Sequence, residues 1–217
     1  MNVGKIVVAI SGKGVMLQHL LLHQQEYHYQ VVGVIASKDT AAGLVYARKL
    51  DLPTLVCDFD AQEQATRKLT PWLQHHAAEA IILAGFTRRF PAVAGFEHHT
   101  ISTHPSLLPK FGGEGMFGMN VHRAVFDAGE TTTGITAHMV VHGFDEGHYV
   151  AQVATDISKC RNAKEVQSKV LAVEKHFYPH LIRTLVAKHW DDDWSKIPTL
   201  KYRDADFLAA TGRKQCS

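Results

Sequence analysis

The sequence predicts an α/β fold: a Rossmann-like, mostly parallel twisted sheet with flanking helices and an antiparallel strand pair toward the C-terminus. Three observations predict it. Short β-branched apolar runs that stop at glycine, such as KIVVAIS at 5–11, have the composition of parallel strands buried on both faces. Segments of helical character separate those runs, as right-handed crossovers between parallel strands require. After Pro109 the alternation stops, and two strand-like runs face each other across a short glycine-flanked loop, the arrangement of antiparallel neighbours.

Taken in order, KIVVAIS is the first strand, and VMLQHLLLHQQ at 15–25 reads as the helix that follows it. YQVVGVIAS at 29–37 is the second strand, AAGLVYARKL at 41–50 the second helix and PTLVCD at 53–58 a short third strand. AQEQATRKLTPWLQHHA at 61–77 supplies a third helix, interrupted or kinked near Pro71, whose ring and missing N–H oppose a continuous helix. AEAIILAGF at 78–86 is the fourth strand and TISTH at 100–104 the fifth. Glycine-rich FGGEGMFG leads to a helix at NVHRAVFDAGE, then to the strand pair TTGITAHMVV and HYVAQVATDIS. Between 163 and 190, Val166, Val170, Val173, Phe177, Leu181 and Leu185 recur at spacings of three and four, which predicts an amphipathic helix despite Pro179. The reading gives one domain over 1–190 and a polar, partly ordered tail over 191–217.

A chain of 217 residues suffices for one such domain with a sizeable core. Lys plus Arg number 23 against 21 Asp plus Glu, a net charge of +2 that gives no basis for a nucleic-acid groove. The N-terminal apolar run ends at Gly12, too short for a membrane span and without a cleavage signal. Cys57, Cys160 and Cys216 have neither zinc spacing nor a disulfide framework, so a cytoplasmic setting is the expectation. Among the 15 histidines, the pairs His75–His76 and His98–His99 make no metal-binding motif, and no metal is expected.

Open parallel sheets bind ligands beyond the carboxyl ends of their strands, and three features fall there. SGKG at 11–14 is a glycine turn before a helix whose free amides suit an anion, although such turns are also common for packing alone. LAGFTRRF at 83–90 is a strand that breaks into a loop bearing two arginines. STHPSLLPK at 102–110 places His104 at the end of a strand, with Pro105 keeping its backbone extended. A lone histidine there is more often structural than catalytic, but Asp145 lies in a glycine-flanked loop able to bring a carboxylate against it. That pair makes an acid–base centre near neutral pH. Ser102 precedes His104 by two residues in an extended strand, so both side chains share a face. Neither Ser102 nor Ser106 sits in a GxSxG elbow, which argues against a serine hydrolase.

LAGF, THPSLLPKF, GITAHMVVHGFDEG and VEKHFYPHLI, in this order within a resemblance that covers residues 5–190, resemble the folate-dependent formyltransferases. The resemblance implies a single formyltransferase domain that uses 10-formyltetrahydrofolate as co-substrate and formylates a primary amine, with glycinamide ribonucleotide of purine biosynthesis as the default acceptor. An amino sugar or hydroxylated amino acid is the alternative acceptor, and a folate-binding homologue with weak or hydrolytic activity the alternative class. It implies His104 and Asp145 as the catalytic pair. Thr87, Arg88, Arg89, Phe90, Val140 and Phe144 would wall the pterin, Gly14, Val15 and Met16 would form the phosphate loop, and Glu174 would contact the amine. Partners are then small molecules, with no nucleic acid and no membrane, and a homodimer is the one assembly left open.

Three departures from the family pattern stand out. Ser102 occupies the asparagine position of Asn-x-His, replacing an amide donor by a shorter hydroxyl. Gly14-Val15-Met16 replaces Gly-Ser-Asn, keeping backbone amides but no side-chain donors. GGEGMFG adds a glycine-rich piece beside the amine site. All three touch the reaction centre or the acceptor, whereas the folate side follows the family.

Overall fold

β1 (Gly4–Ile10) occupies the middle of an eight-stranded sheet, and Ile6 through Ile10 are wholly buried because helices cover both of its faces. The structure is a computed structural model that describes residues 3–141, 145, 147–188 and 198–210. Strand order is β3-β2-β1-β4-β5-β6-β7-β8, with β2 at Tyr29–Ala36, β3 at Thr54–Val56, β4 at Ala80–Leu83 and β5 at Thr100–His104. These five are parallel. β6 (Thr132–Met139) then runs antiparallel to both β5 and β7 (Tyr149–Asp156), as the short loop between them demands.

The chain leaves β1 toward β2 on one side and returns to β4 on the other. This reversal opens a crevice beyond the carboxyl ends of β1 and β4, where an α/β sheet accepts ligands. α1 (Val15–His23) and α5 (Ala163–Ala187) cover one face, burying Leu17, Leu20, Val170, Phe177 and Leu181 with Ile6, Val8 and Ile101. α3 (Gln62–His75) covers the other with Ala65, Leu69 and Leu73 against Val7, Ile35 and Ile81. The strict alternation of β1 and β4 residues between the two clusters is the period-two pleat made visible. α2 (Leu44–Lys49) and α4 (Met119–Asp127) complete the layers.

α5 begins where the Asn162 side chain accepts a hydrogen bond from the Glu165 amide, an N-cap that satisfies one free donor of the first turn. It continues through Pro179 as the spacing predicts. Its Tyr178 hydroxyl, fully buried, lies 3.0 Å from the carbonyls of both Leu83 and Ile101, which fastens the helix to the ends of β4 and β5.

Two local expectations are corrected. α3 runs uninterrupted through Pro71. Pro71 and Arg67, whose carbonyl loses its usual donor, are both exposed, and the hydroxyls of Thr66 and Thr70 bond back to the preceding turn. Part of the expected tail also joins the sheet: β8 (Leu200–Arg203) pairs parallel with β7, and α6 (Asp204–Ala210) buries Phe207 and Leu208.

Candidate active site

At the crevice lies a cavity of about 700 Å³, within the size range of small-molecule sites. Its floor is the end of β5. Ser102, Thr103 and His104 all line it, joined by Gly14, Val15 and Met16 at the start of α1, Thr87 and Arg88 after β4, Asp145, and Glu174 of α5.

His104 is buried and has an acceptor at each ring nitrogen. Nδ1 lies 3.1 Å from Asp145 Oδ2, and Nε2 donates to the Phe111 carbonyl at 2.8 Å. Both acceptors are satisfied only when both nitrogens carry protons. Asp145 reaches the histidine from a backbone at φ 60°, a left-handed conformation that aspartate tolerates better than most residues. Its Oδ2 also accepts from the Gly113 amide at 3.1 Å, and its Oδ1 stands 3.4 Å from His138 Nε2. Burial opposes ionisation of Asp145, but the hydrogen bond from His104 and the neighbouring His138 outweigh it and hold the carboxyl well below the usual carboxylate range. The site therefore carries a fixed anion between two imidazoles.

On the opposite wall Thr103 donates to Glu174 Oε1 at 2.6 Å. Burial raises the Glu174 pKa above the ordinary glutamate value, and the threonine offsets part of that rise. The turn that enters α1 depends on Gly14, at φ 67°: an added Cβ would stand 2.7 Å from the Gly43 Cα. Ser11 anchors the facing loop. Its Oγ accepts from the Thr87 amide at 3.0 Å and from the Ser37 hydroxyl at 2.9 Å, so one serine joins the ends of β1 and β2 to the segment after β4.

The structure thus brings together His104, Asp145, Ser102, Gly14, Val15, Met16, Glu174, Thr87 and Arg88. Arg89, Phe90 and Val140 are not among the lining residues. Phe90 packs instead against Phe59 and Phe86, with ring centroids 5.4 and 5.5 Å apart, in the α3-side core. Phe144 lies outside the described residues. Three site residues were not singled out from sequence: Thr103, His138 and His122. Strand pairing sets His138 opposite Ser102, a relation that only the β5–β6 register reveals. His122 comes from α4 and is among the residues that line the cavity. Among the described residues no group of three or more His, Cys, Asp or Glu is placed to hold a metal ion.

Among known proteins, the chain is similar to formyltransferases. The formyl transferase family model matches residues 4–182. The phosphoribosylglycinamide formyltransferase of Haemophilus influenzae is 31% identical over 82% of this chain and 85% of its own length. The chloroplastic phosphoribosylglycinamide formyltransferase of Vigna unguiculata is 28% identical, over 92% of this chain but 66% of its own. Among solved structures, the phosphoribosylglycinamide formyltransferase of Coxiella burnetii superposes with a TM-score of 0.77 at 29% identity, covering 85% of this chain and 88% of that one.

Proposed function

Because the chain belongs to the formyl transferase family, we propose that it moves the formyl group of 10-formyltetrahydrofolate onto a primary amine, with glycinamide ribonucleotide as the first acceptor. The observation that carries this reading is the His104–Asp145 pair, 3.1 Å apart at the floor of a cavity large enough for both substrates' reacting ends. Residues 1–190 carry the catalytic groups, and β8 and α6 beyond them brace the sheet. Small molecules are the partners, with neither nucleic acid nor membrane, in a cytoplasmic setting.

The cavity fits a folate through the loop after β4, where Gly85, Phe86, Thr87 and Arg88 offer backbone groups, an aromatic face and a cation. In the reaction the amine nitrogen bonds to the formyl carbon, the bond from that carbon to N10 breaks, and one proton passes from the amine to N10. As the amine adds, charge collects on the formyl oxygen. His104, doubly hydrogen-bonded and beside an ionised Asp145, supplies fixed positive potential there, and Ser102 supplies a hydroxyl donor from the same strand face. Because these groups are already oriented by the fold, little reorganisation accompanies the step.

One observation favours a second acceptor class. Val15, 40% exposed, and Met16, which belongs to the α1-side core, line the cavity where the family resemblance implies a phosphate and bring no side-chain donor to it. An amine without a phosphate suits that wall. The deciding experiment measures tetrahydrofolate release from 10-formyltetrahydrofolate with glycinamide ribonucleotide, with amino sugars and hydroxylated amino acids, and with no amine. Amine-dependent release is the expected result, and equal release without amine would mean hydrolysis and overturn the transferase reading.

A further inference from the structure

His122 is 5% exposed, lines the same cavity as His104, and has no hydrogen-bond partner at Nδ1, nor a recorded one at Nε2 among the described residues. A buried imidazole without a partner is uncommon, because its polar atoms lose their hydration and gain nothing in return. The two imidazoles beside Asp145 are held by other groups. His104 has acceptors at both nitrogens, and His138 Nδ1 faces the Met139 carbonyl at 3.0 Å while its buried Nε2, which makes no hydrogen bond, stands 3.4 Å from the Asp145 carboxylate. Neither offers a lone pair to a substrate amine.

We propose that His122 is a further catalytic residue, the base that accepts the proton from the attacking amine and returns it to the leaving N10. This rests on the transferase reading above. As the amine nitrogen bonds to the formyl carbon, one of its protons passes to Nε2 of His122, since Nδ1 is sealed from the cavity. As the bond from carbon to N10 breaks, the electron pair stays on N10 and takes that proton. No other reactant is required, and the imidazole ends the cycle neutral as it began. Burial, and then the charge of His104, lower the His122 pKa to about 4, so the ring is unprotonated before the amine arrives and readily gives up a proton it has taken. His104 and His122 thus divide the work: one faces acceptors at both ring nitrogens, the other accepts the proton.

The test compares His122→Gln, which keeps the volume and hydrogen-bonding capacity without a basic ring, with His122→Ala assayed with and without added imidazole. General-base loss lowers kcat on the order of a hundredfold or more. The expected result is that fall in both variants, unchanged folate affinity by titration, and partial recovery of the alanine variant by imidazole. Full kcat in His122→Gln, or a loss that tracks folate affinity and ignores imidazole, overturns the proposal. Wild-type protein with no amine-dependent release would instead sink the transferase reading, so the two failures are distinguishable.

Discussion

Asp145 Oδ2 stands 3.1 Å from His104 Nδ1 although the Asp145 backbone is at φ 60° and its carboxylate is mostly enclosed. A carboxylate held this way keeps its neighbour's ring oriented. Asp145→Asn preserves the left-handed backbone, since asparagine also tolerates it, but loses the charge. Together with His104→Ala it is expected to lower turnover by on the order of a hundred- to a thousandfold with folate binding retained, read from initial rates and titration calorimetry. Undiminished activity in either variant would remove the mechanism.

The same pair sets an acid dependence. Asp145 titrates below its unfolded value, so its contribution to stability is present above the ordinary carboxylate range and is lost as pH falls through the lower folded value. Wild-type protein therefore loses stability in strong acid relative to Asp145→Asn, and the difference between their denaturation midpoints narrows as pH falls toward 2, on the order of the range where such carboxylates titrate.

Glu174 carries the opposite sign. Its carboxyl is shifted upward by burial, so its folded state favours the protonated form, and that contribution is present in acid and lost as pH rises through the raised value. Glu174→Gln keeps the acceptor for Thr103 and is expected to be more stable than wild type above the carboxylate range. If Glu174 also holds the amine substrate, KM for the amine rises in the same variant while folate affinity does not change. Thermal melts across pH and steady-state kinetics separate the two effects.

Ser102 shares a strand face with His104 but reaches less far than an amide. Ser102→Asn is expected to raise turnover with glycinamide ribonucleotide, by up to a hundredfold or so if the oxyanion donor is what serine impairs. A fall in turnover, measured against the same amine, would mean that the hydroxyl suits a different acceptor.

Ser11 touches no reacting atom yet fixes the loop after β4. Ser11→Ala leaves the Thr87 amide and the Ser37 hydroxyl without their common partner, at a cost of about 1–3 kcal/mol. The expected signature is weaker folate binding with kcat nearly preserved, detected by titration and by saturation kinetics.

The sheet was largely legible in the sequence because parallel strands buried on both faces are continuous apolar runs, and β1, β2 and β4 are such runs. The helix over 163–187 was legible for the same kind of reason, since Val166, Val170, Val173 and Phe177 mark one stripe. The His104–Asp145 pairing could be expected from their places at a strand end and in the loop between the antiparallel strands. Contacts that depend on register could not. His138 faces Ser102 only through the β5–β6 pairing, and His122 reaches the cavity only through the packing of α4. Phe90 follows two arginines and reads as a ligand wall, but Phe59, brought from a distant segment, claims it for the core. β8 is four mostly exposed residues, LKYR, too short for its alternation to distinguish a strand from a loop.

That short strand has a consequence for the catalytic carboxylate. The Thr199 hydroxyl donates to the Tyr149 carbonyl at 2.7 Å, and Tyr149 opens β7 a few positions after Asp145. The family match ends at 182, before this brace begins. A chain cut after 190 is expected to retain the folate crevice while leaving the β6–β7 hairpin moored on one side only. The smallest piece that folds and the smallest piece that turns over substrate are then of different lengths.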